Sequence, residues 1–230
     1  MRAARGFACI LTVLLSLAIT GCVEKGLQPG ERIVFLGDSI TWQGDKPGGY
    51  VTMVRDTLQA RYPDLNLEII GAGISGNKVP DLQARLQRDV VDHNPSKVFI
   101  YIGINDVWHW AKFESKGTTK AVFQEGLRDI IARISHNGAR VYLCTPTVIG
   151  ERHDGTNPQD TMLDEYAALS RQVAEGTGAI LVDLRQAFID CLHVYNPDNA
   201  EDGILTYDGV HLIAAGNRLV AQEVLKALGE

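Results

Sequence analysis

Cysteine is scarce in this chain, with four in 230 residues. Cys9 lies in an apolar leader and Cys22 closes it, so the rest of the chain carries only Cys144 and Cys191. Two cysteines cannot build the disulfide framework on which small exported domains depend. An exported chain can still pair them, and the sequence leaves open whether these two meet; Cys144, inside an apolar run, equally fits a small core residue. Positive charge is also short: 22 Lys and Arg stand against 28 Asp and Glu, a net charge of −6. Such a chain has no general attraction for nucleic acid or anionic lipid, and no nucleic-acid partner is expected. Internal repeats, low-complexity runs and charge blocks are missing. No grouping has metal-ligand spacing; a site from His109, Asp208 and His211 is conceivable, but neither metal nor cofactor is expected.

What the chain does have begins with its leader. Arg2 and Arg5 precede a mostly apolar stretch from Phe7 to Ile19, followed by Thr20-Gly21-Cys22. The layout is that of a secretory signal peptide, too short for a comfortable membrane span. Ile19-Thr20-Gly21-Cys22 resembles the lipobox of bacterial lipoproteins, which implies cleavage after residue 21 and lipid on Cys22. The expected organisation is a signal peptide over 1–21, a lipidated N-terminus and tether over 22–30, and one domain over 31–230. Removing 21 residues leaves 209, and losing two arginines takes the net charge to −8. The expected location is a bacterial membrane, on its periplasmic or extracellular face, held by the lipid.

The remaining length suits a single domain with a sizeable core. Short apolar runs at Arg32–Leu36, Leu65–Ile70, Lys97–Ile102, Arg140–Cys144 and Ala179–Val182 read as five strands. Between and after them, Tyr50–Tyr62, Pro80–His93, Thr118–His136, Asp160–Glu175, Leu184–Leu192 and Gly209–Leu228 read as helices. Alternation of this kind predicts an α/β fold, a parallel sheet covered on both faces, with its site beyond the carboxyl ends of the strands.

Four stretches lie in those places. Phe35-Leu36-Gly37-Asp38-Ser39-Ile40-Thr41 crosses a strand-to-helix junction, where Ser39 serves either as an exposed nucleophile or as an ordinary cap. Gly71-Ala72-Gly73-Ile74-Ser75-Gly76 matches the G-x-G-x-x-G pattern. However, Pro80 marks a later helix start, and no acid follows at the required strand end, so a dinucleotide is not expected. Gly73 is the better candidate for a backbone N–H aimed at a ligand oxygen. Gly103-Ile104-Asn105-Asp106 reads as a turn in which the Asn105 side chain can donate to a developing oxyanion. Asp106 serves either the turn or Asn105 itself. Trp108, His109 and Trp110 follow, walling a pocket or covering the core. Tyr207-Asp208-Gly209-Val210-His211 opens the last predicted helix and pairs an imidazole with a carboxylate three residues earlier. That is the arrangement of a general base and its orienting partner, or of an N-cap beside a surface histidine.

In their order, Gly37-Asp38-Ser39-Ile40, Gly73, Gly103-Ile104-Asn105-Asp106 and Asp208-Gly209-Val210-His211 resemble the four blocks of the SGNH (GDSL-type) hydrolases, over roughly Arg32 to Leu228. The resemblance implies a flavodoxin-like, three-layer α/β/α fold. It also implies a triad of Ser39, Asp208 and His211, and an oxyanion hole from the N–H groups of Ser39 and Gly73 and the Asn105 side chain. Ile40, Gly71 and Ile213 depart from the commoner residues at non-catalytic positions. The activity implied is a metal-independent serine esterase, with small-molecule or carbohydrate esters as partners and short acyl groups, acetyl above all, favoured because no long apolar insertion offers an acyl trough. A lysophospholipase, lipase or thioesterase for longer chains is the enzyme alternative; a non-catalytic carbohydrate-binding lipoprotein is the alternative of another kind. Trp108 and His109 are candidate pocket residues. His93, His136 and His193 are expected at surfaces or helix ends, and His153 sits in a loop that either faces substrate or does not.

Overall fold

The computed structural model describes residues 26–112 and 116–230. The leader and Cys22 lie outside the described residues. The elements alternate along the chain: β1 (Arg32–Gly37), α1 (Ser39–Gly44), α2 (Tyr50–Arg61), β2 (Glu68–Gly73), α3 (Val79–Asp89), β3 (Lys97–Tyr101), α4 (Ile104–Lys112), α5 (Lys120–His136), β4 (Arg140–Cys144), α6 (Asp160–Thr177), β5 (Ile180–Val182), α7 (Leu184–Tyr195) and α8 (Ala214–Leu228). The five strands are parallel in the order β2-β1-β3-β4-β5, the flavodoxin-like order expected. Helices α3, α5 and α6 pack side by side in one layer, and α2, α7 and α8 in the other.

The centre of the sheet is apolar because helices cover both faces. Ile33 to Leu36 and Val98 to Ile102 are buried throughout. Phe35, Phe99 and Tyr142 occupy one register row across β1, β3 and β4, and their rings stack at 4.9 and 4.3 Å between centroids. This ladder locks the three strands whose carboxyl ends must be held in place.

The structure corrects three boundaries. The second strand runs over Glu68–Gly73 rather than Leu65–Ile70, because a turn of 3-10 helix takes Pro63–Leu65 and Asn66 is left-handed with φ 49°. Gly71 to Gly73 are therefore strand, with Gly73 opposite Gly37 in β1. A Cβ on Gly73 would lie 2.1 Å from the Trp42 backbone nitrogen, so only glycine lets α1 cross there. Ile104-Asn105-Asp106 opens α4, with Gly103 just ahead of it, rather than forming a turn alone. The last helix begins at Ala214 rather than Gly209, leaving Asp208 and His211 in an irregular segment.

Candidate active site

Ser39 is placed by its neighbour. The Asp38 carboxylate caps α1, its Oδ1 accepting the Ile40 N–H at 2.9 Å, so Ser39 becomes the first helical residue immediately beyond β1. Its Oγ lies 2.9 Å from His211 Nε2. His211 Nδ1 lies 2.7 Å from Asp208 Oδ2. The other Asp208 oxygen accepts the backbone N–H groups of His211 at 2.7 Å and Val210 at 3.1 Å. Burial pushes the Asp208 carboxyl up, but those N–H groups and the imidazole outweigh it and hold the group below its ordinary value. A carboxylate on Nδ1 fixes the tautomer with the proton there and leaves Nε2 to accept from the Ser39 hydroxyl. The Tyr207 ring stacks on the imidazole at 5.7 Å, and Trp108 approaches it edge-on at 6.4 Å.

The segment carrying this pair is held from outside. Gly209 has φ +81°, a left-handed turn that brings His211 back over Asp208, and its carbonyl accepts the Gly150 N–H at 2.8 Å. Glu151, fully buried, accepts the N–H groups of Ile204, Leu205 and Thr206 and the Thr206 hydroxyl, all at 2.5–2.7 Å. One carboxylate thus satisfies three consecutive backbone donors two residues ahead of Asp208. Arg85 performs a similar service beneath the sheet ends. Its guanidinium, 8 % exposed, donates to the carbonyls of Gly37 and Ala72 and to the side chains of Asn77 and Asp89. It ties the ends of β1 and β2 to the loop before α3.

Asn105 lies in the first turn of α4, 4 % exposed. Its Nδ2 donates to the Asn77 carbonyl at 3.1 Å and approaches Asp38 Oδ2 at 3.5 Å. Both amide protons are engaged, the second at the limit of a hydrogen bond, so it is the one an incoming oxyanion can claim at least cost. Asp106 does not hold the Asn105 side chain: its Oδ1 accepts the Val79 N–H, and its carbonyl accepts from Thr118. Burial pushes the Asp38 carboxyl up to about 7, helped by the Asp106 charge, and the Asp106 carboxyl up to about 6.

Of the two pocket candidates, Trp108 stands beside His211 with Lys112 Nζ 3.8 Å from its ring centre. His109 is half-buried; burial, then the charges of Lys78 and Lys112, hold its imidazole below the ordinary value. Among the described residues no group of three or more His, Cys, Asp or Glu side chains is arranged to hold a metal ion. Both His211 nitrogens are in any case taken by Ser39 and Asp208. His153 turns to α7, its Nε2 2.8 Å from the Asn196 carbonyl and its ring 4.8 Å from that of the exposed His193. His136 is exposed and His93 half-buried. Cys144 and Cys191 are free thiols. Tyr207, 54 % exposed, borders the site through its stacking on His211, and Gln43 donates to its hydroxyl at 3.1 Å. A cavity of about 800 Å³ between α7 and α8 shares no residue with this cluster.

Sequence reasoning missed Glu151, Arg85 and Asn77. Arg85 left a signal, since it stands on the apolar stripe of its helix between Leu82 and Leu86. Glu151 left none, because its partners are more than fifty residues away.

Residues 35–219 match the model of the GDSL-like lipase/acylhydrolase family. The chain is 34 % identical to an acetylxylan esterase of Geobacillus stearothermophilus over 87 % of its own length and 94 % of the relative's. It also resembles the crystal structure of an acetyl xylan esterase, AlAXEase, with a TM-score of 0.83 and 39 % identity over 85 % of this chain and 98 % of that one. A lipoprotein of Bacillus subtilis, YqeF, is 26 % identical over 94 and 95 % of the two chains. With its parallel sheet and this extent of similarity, the chain belongs to the GDSL-like lipase/acylhydrolase family and is an SGNH-type serine carboxylic ester hydrolase.

Proposed function

We propose that this enzyme removes acetyl groups from carbohydrates and does so as an exported, lipid-anchored protein. The observation that carries the chemistry is the continuous relay from Ser39 Oγ through His211 to Asp208, at 2.9 and 2.7 Å. In the proposed reaction Ser39 Oγ attacks the ester carbonyl carbon while its proton passes to His211 Nε2. Asp208 stays ionised and stabilises the imidazolium. The tetrahedral oxyanion takes N–H donors from Ser39 and the Asn105 side chain, the latter by releasing Asp38, while Gly73, the other expected donor, lies inside β2 with its N–H turned from β1 and serves the close packing of α1. Collapse expels the sugar hydroxylate, which receives the proton from His211. Water, activated by the same nitrogen, then attacks acetyl-Ser39 and releases acetate.

The acetyl and carbohydrate assignments draw on the acetylxylan esterase relatives and on the open mouth of the site. The Tyr207 ring, 54 % exposed and stacked by one face on His211, offers an apolar surface of the kind that sugar faces cover. The anchor draws on the lipobox-like run ending at Cys22 and on the lipoprotein relative. Rates on p-nitrophenyl esters from acetyl to palmitoyl, beside acetate release from acetylated xylo-oligosaccharides, test the reading. The expected result is a steep fall in kcat/KM beyond about four acyl carbons, because pocket size limits what can be buried. A maximum at octanoyl or longer moves the enzyme to the lipase class. For the anchor, Cys22→Ser is expected to abolish membrane retention or to leave the leader uncleaved.

A further inference from the structure

The chain enters the fold at one pole and carries its chemistry at the other. Gly30 N–H donates to the Leu65 carbonyl, Glu68 N–H to Glu31, and Ser96 N–H to Arg32, all at the amino ends of β1, β2 and β3. The Arg32 guanidinium reaches the His93 carbonyl on the same side. Because the sheet is wholly parallel, Ser39 and Asn105 stand beyond the opposite ends, where Gly73 closes β2. The six residues of β1 alone separate the two levels by about 20 Å.

The tether is short against that geometry. Between Cys22 and Gly30 there are eight peptide steps, a reach of at most about 28 Å when fully extended. Leu27 already packs against the core, which shortens the free part. A domain of this size has a radius of gyration of about 17 Å, hence a diameter of roughly 43 Å. To set the mouth of the site on the bilayer that holds it, the chain would have to pass along the whole height of the domain, and it is too short. Taken alone, the exposed Tyr207 beside His211 reads equally as a ring that dips into lipid. The tether removes that use.

We infer that the natural tether keeps the Ser39 site facing away from the anchoring bilayer, so that its substrates are water-borne or polymeric acetyl esters and never esters displayed on that membrane. The inference rests on the lipid anchor at Cys22 and the esterase site proposed above. The test uses the full, lipidated protein in dilute vesicles that also contain a dialkyl glycolipid with an O-acetylated glucose headgroup. It compares the natural chain with one carrying a flexible insertion of about 20 Gly and Ser residues after Gly26, with p-nitrophenyl acetate as the soluble control. Expected is equal hydrolysis of the soluble ester by both, and at least tenfold faster cleavage of the vesicle-bound acetyl group by the long-tether protein. Equal cleavage of the vesicle-bound ester by the two proteins, whether fast or absent, overturns the inference while leaving the esterase reading intact. Mass spectrometry showing no lipid on Cys22 overturns it as well. Loss of the soluble activity in both proteins would instead strike the esterase reading.

Discussion

Ser39 stands at the end of a strand hydrogen-bonded on both sides, whereas Asp208 and His211 stand in a segment with no helix or strand of its own. The first half of the site inherits its position from the sheet. β1 is buried along its apolar length, and Arg85 fastens its end to that of β2. The second half is positioned by three buried side chains, Leu205, Val210 and Leu212, and by polar contacts: the bridge between Thr206 and Leu212, the Tyr207–His211 and Gly150–Gly209 backbone bonds, and Glu151 with its four donors. A sheet end spreads its support over many small terms, so one substitution nearby shifts it little. A loop in which one buried carboxylate serves four donors concentrates much of its polar support, and that carboxylate becomes a second point of failure apart from the reacting atoms.

The largest expected effect breaks the relay that joins the two halves. Ser39→Ala is expected to lower kcat/KM by about 10⁴-fold or more, and His211→Ala by a similar factor, with the double variant little worse than either because the relay acts as one unit. Steady-state rates on p-nitrophenyl acetate check this. Substantial activity in folded Ser39→Ala would remove the proposed nucleophile.

Next is Asn105, the proposed oxyanion donor just past the end of β3. Asn105→Ala is expected to lower kcat by about 10²–10³, or roughly 3–4 kcal/mol, with KM little changed, because the N–H shifts from Asp38 to the oxygen only as charge develops. If the side chain serves only the Asn77 loop, the thermal midpoint falls and kcat survives; measuring both decides between them.

The loop half is tested by Glu151→Gln. The amide keeps the shape, but only one of its two atoms can accept, and it sets an NH₂ against backbone N–H donors. A buried network broken in this way costs about 3–5 kcal/mol of stability, which denaturant unfolding measures. In the protein that remains folded, kcat is expected to fall about tenfold as His211 loses its fixed place, with the pH profile of kcat/KM altered as well. A variant as active as wild type would show that the segment is held by its other contacts.

The same contrast explains what could be read in the chain and what could not. The sheet half is legible because each strand is a local apolar run and each site residue follows one directly, as Gly37-Asp38-Ser39 follows Phe35-Leu36. The pairing of Asp208 with His211 is legible because they sit three apart, whatever backbone joins them. That backbone is not: the spacing fits a first helical turn, while Gly209 at positive φ makes a tight loop with the same contact. α4 is hidden because glycine and asparagine at a strand end resemble a turn until Asp106 and the residues after it are seen to pack. Glu151 is beyond reach, since a lone glutamate in a polar loop carries no mark of partners brought to it by the fold.

The smallest effect concerns the acid buried next to Asn105. Burial raises the Asp106 carboxyl from 3.8 to about 6 in the fold. Between those values the native state holds more protons than the unfolded chain, so stability falls as pH rises from about 4 to 6; the cost is complete above that window and absent below it. At about 1.4 kcal/mol per pH unit, the effect is on the order of 1–3 kcal/mol. Asp208, Asp89 and Asp183 are held below their ordinary values, and their contribution has the opposite sign and is lost at lower pH. Asp106→Asn removes the titrating charge and also relieves Asp38, on which the Asp106 charge acts. The variant is therefore expected to gain on wild type as pH rises from 4 to 7, whatever fixed cost it bears from a weaker bond to the Val79 N–H. Urea midpoints of the two proteins at pH 4, 5, 6 and 7 measure the trend. A stability difference that stays constant across that range would mean that Asp106 keeps an ordinary carboxyl in the fold, and that the buried acids beside Asn105 carry no pH-dependent strain.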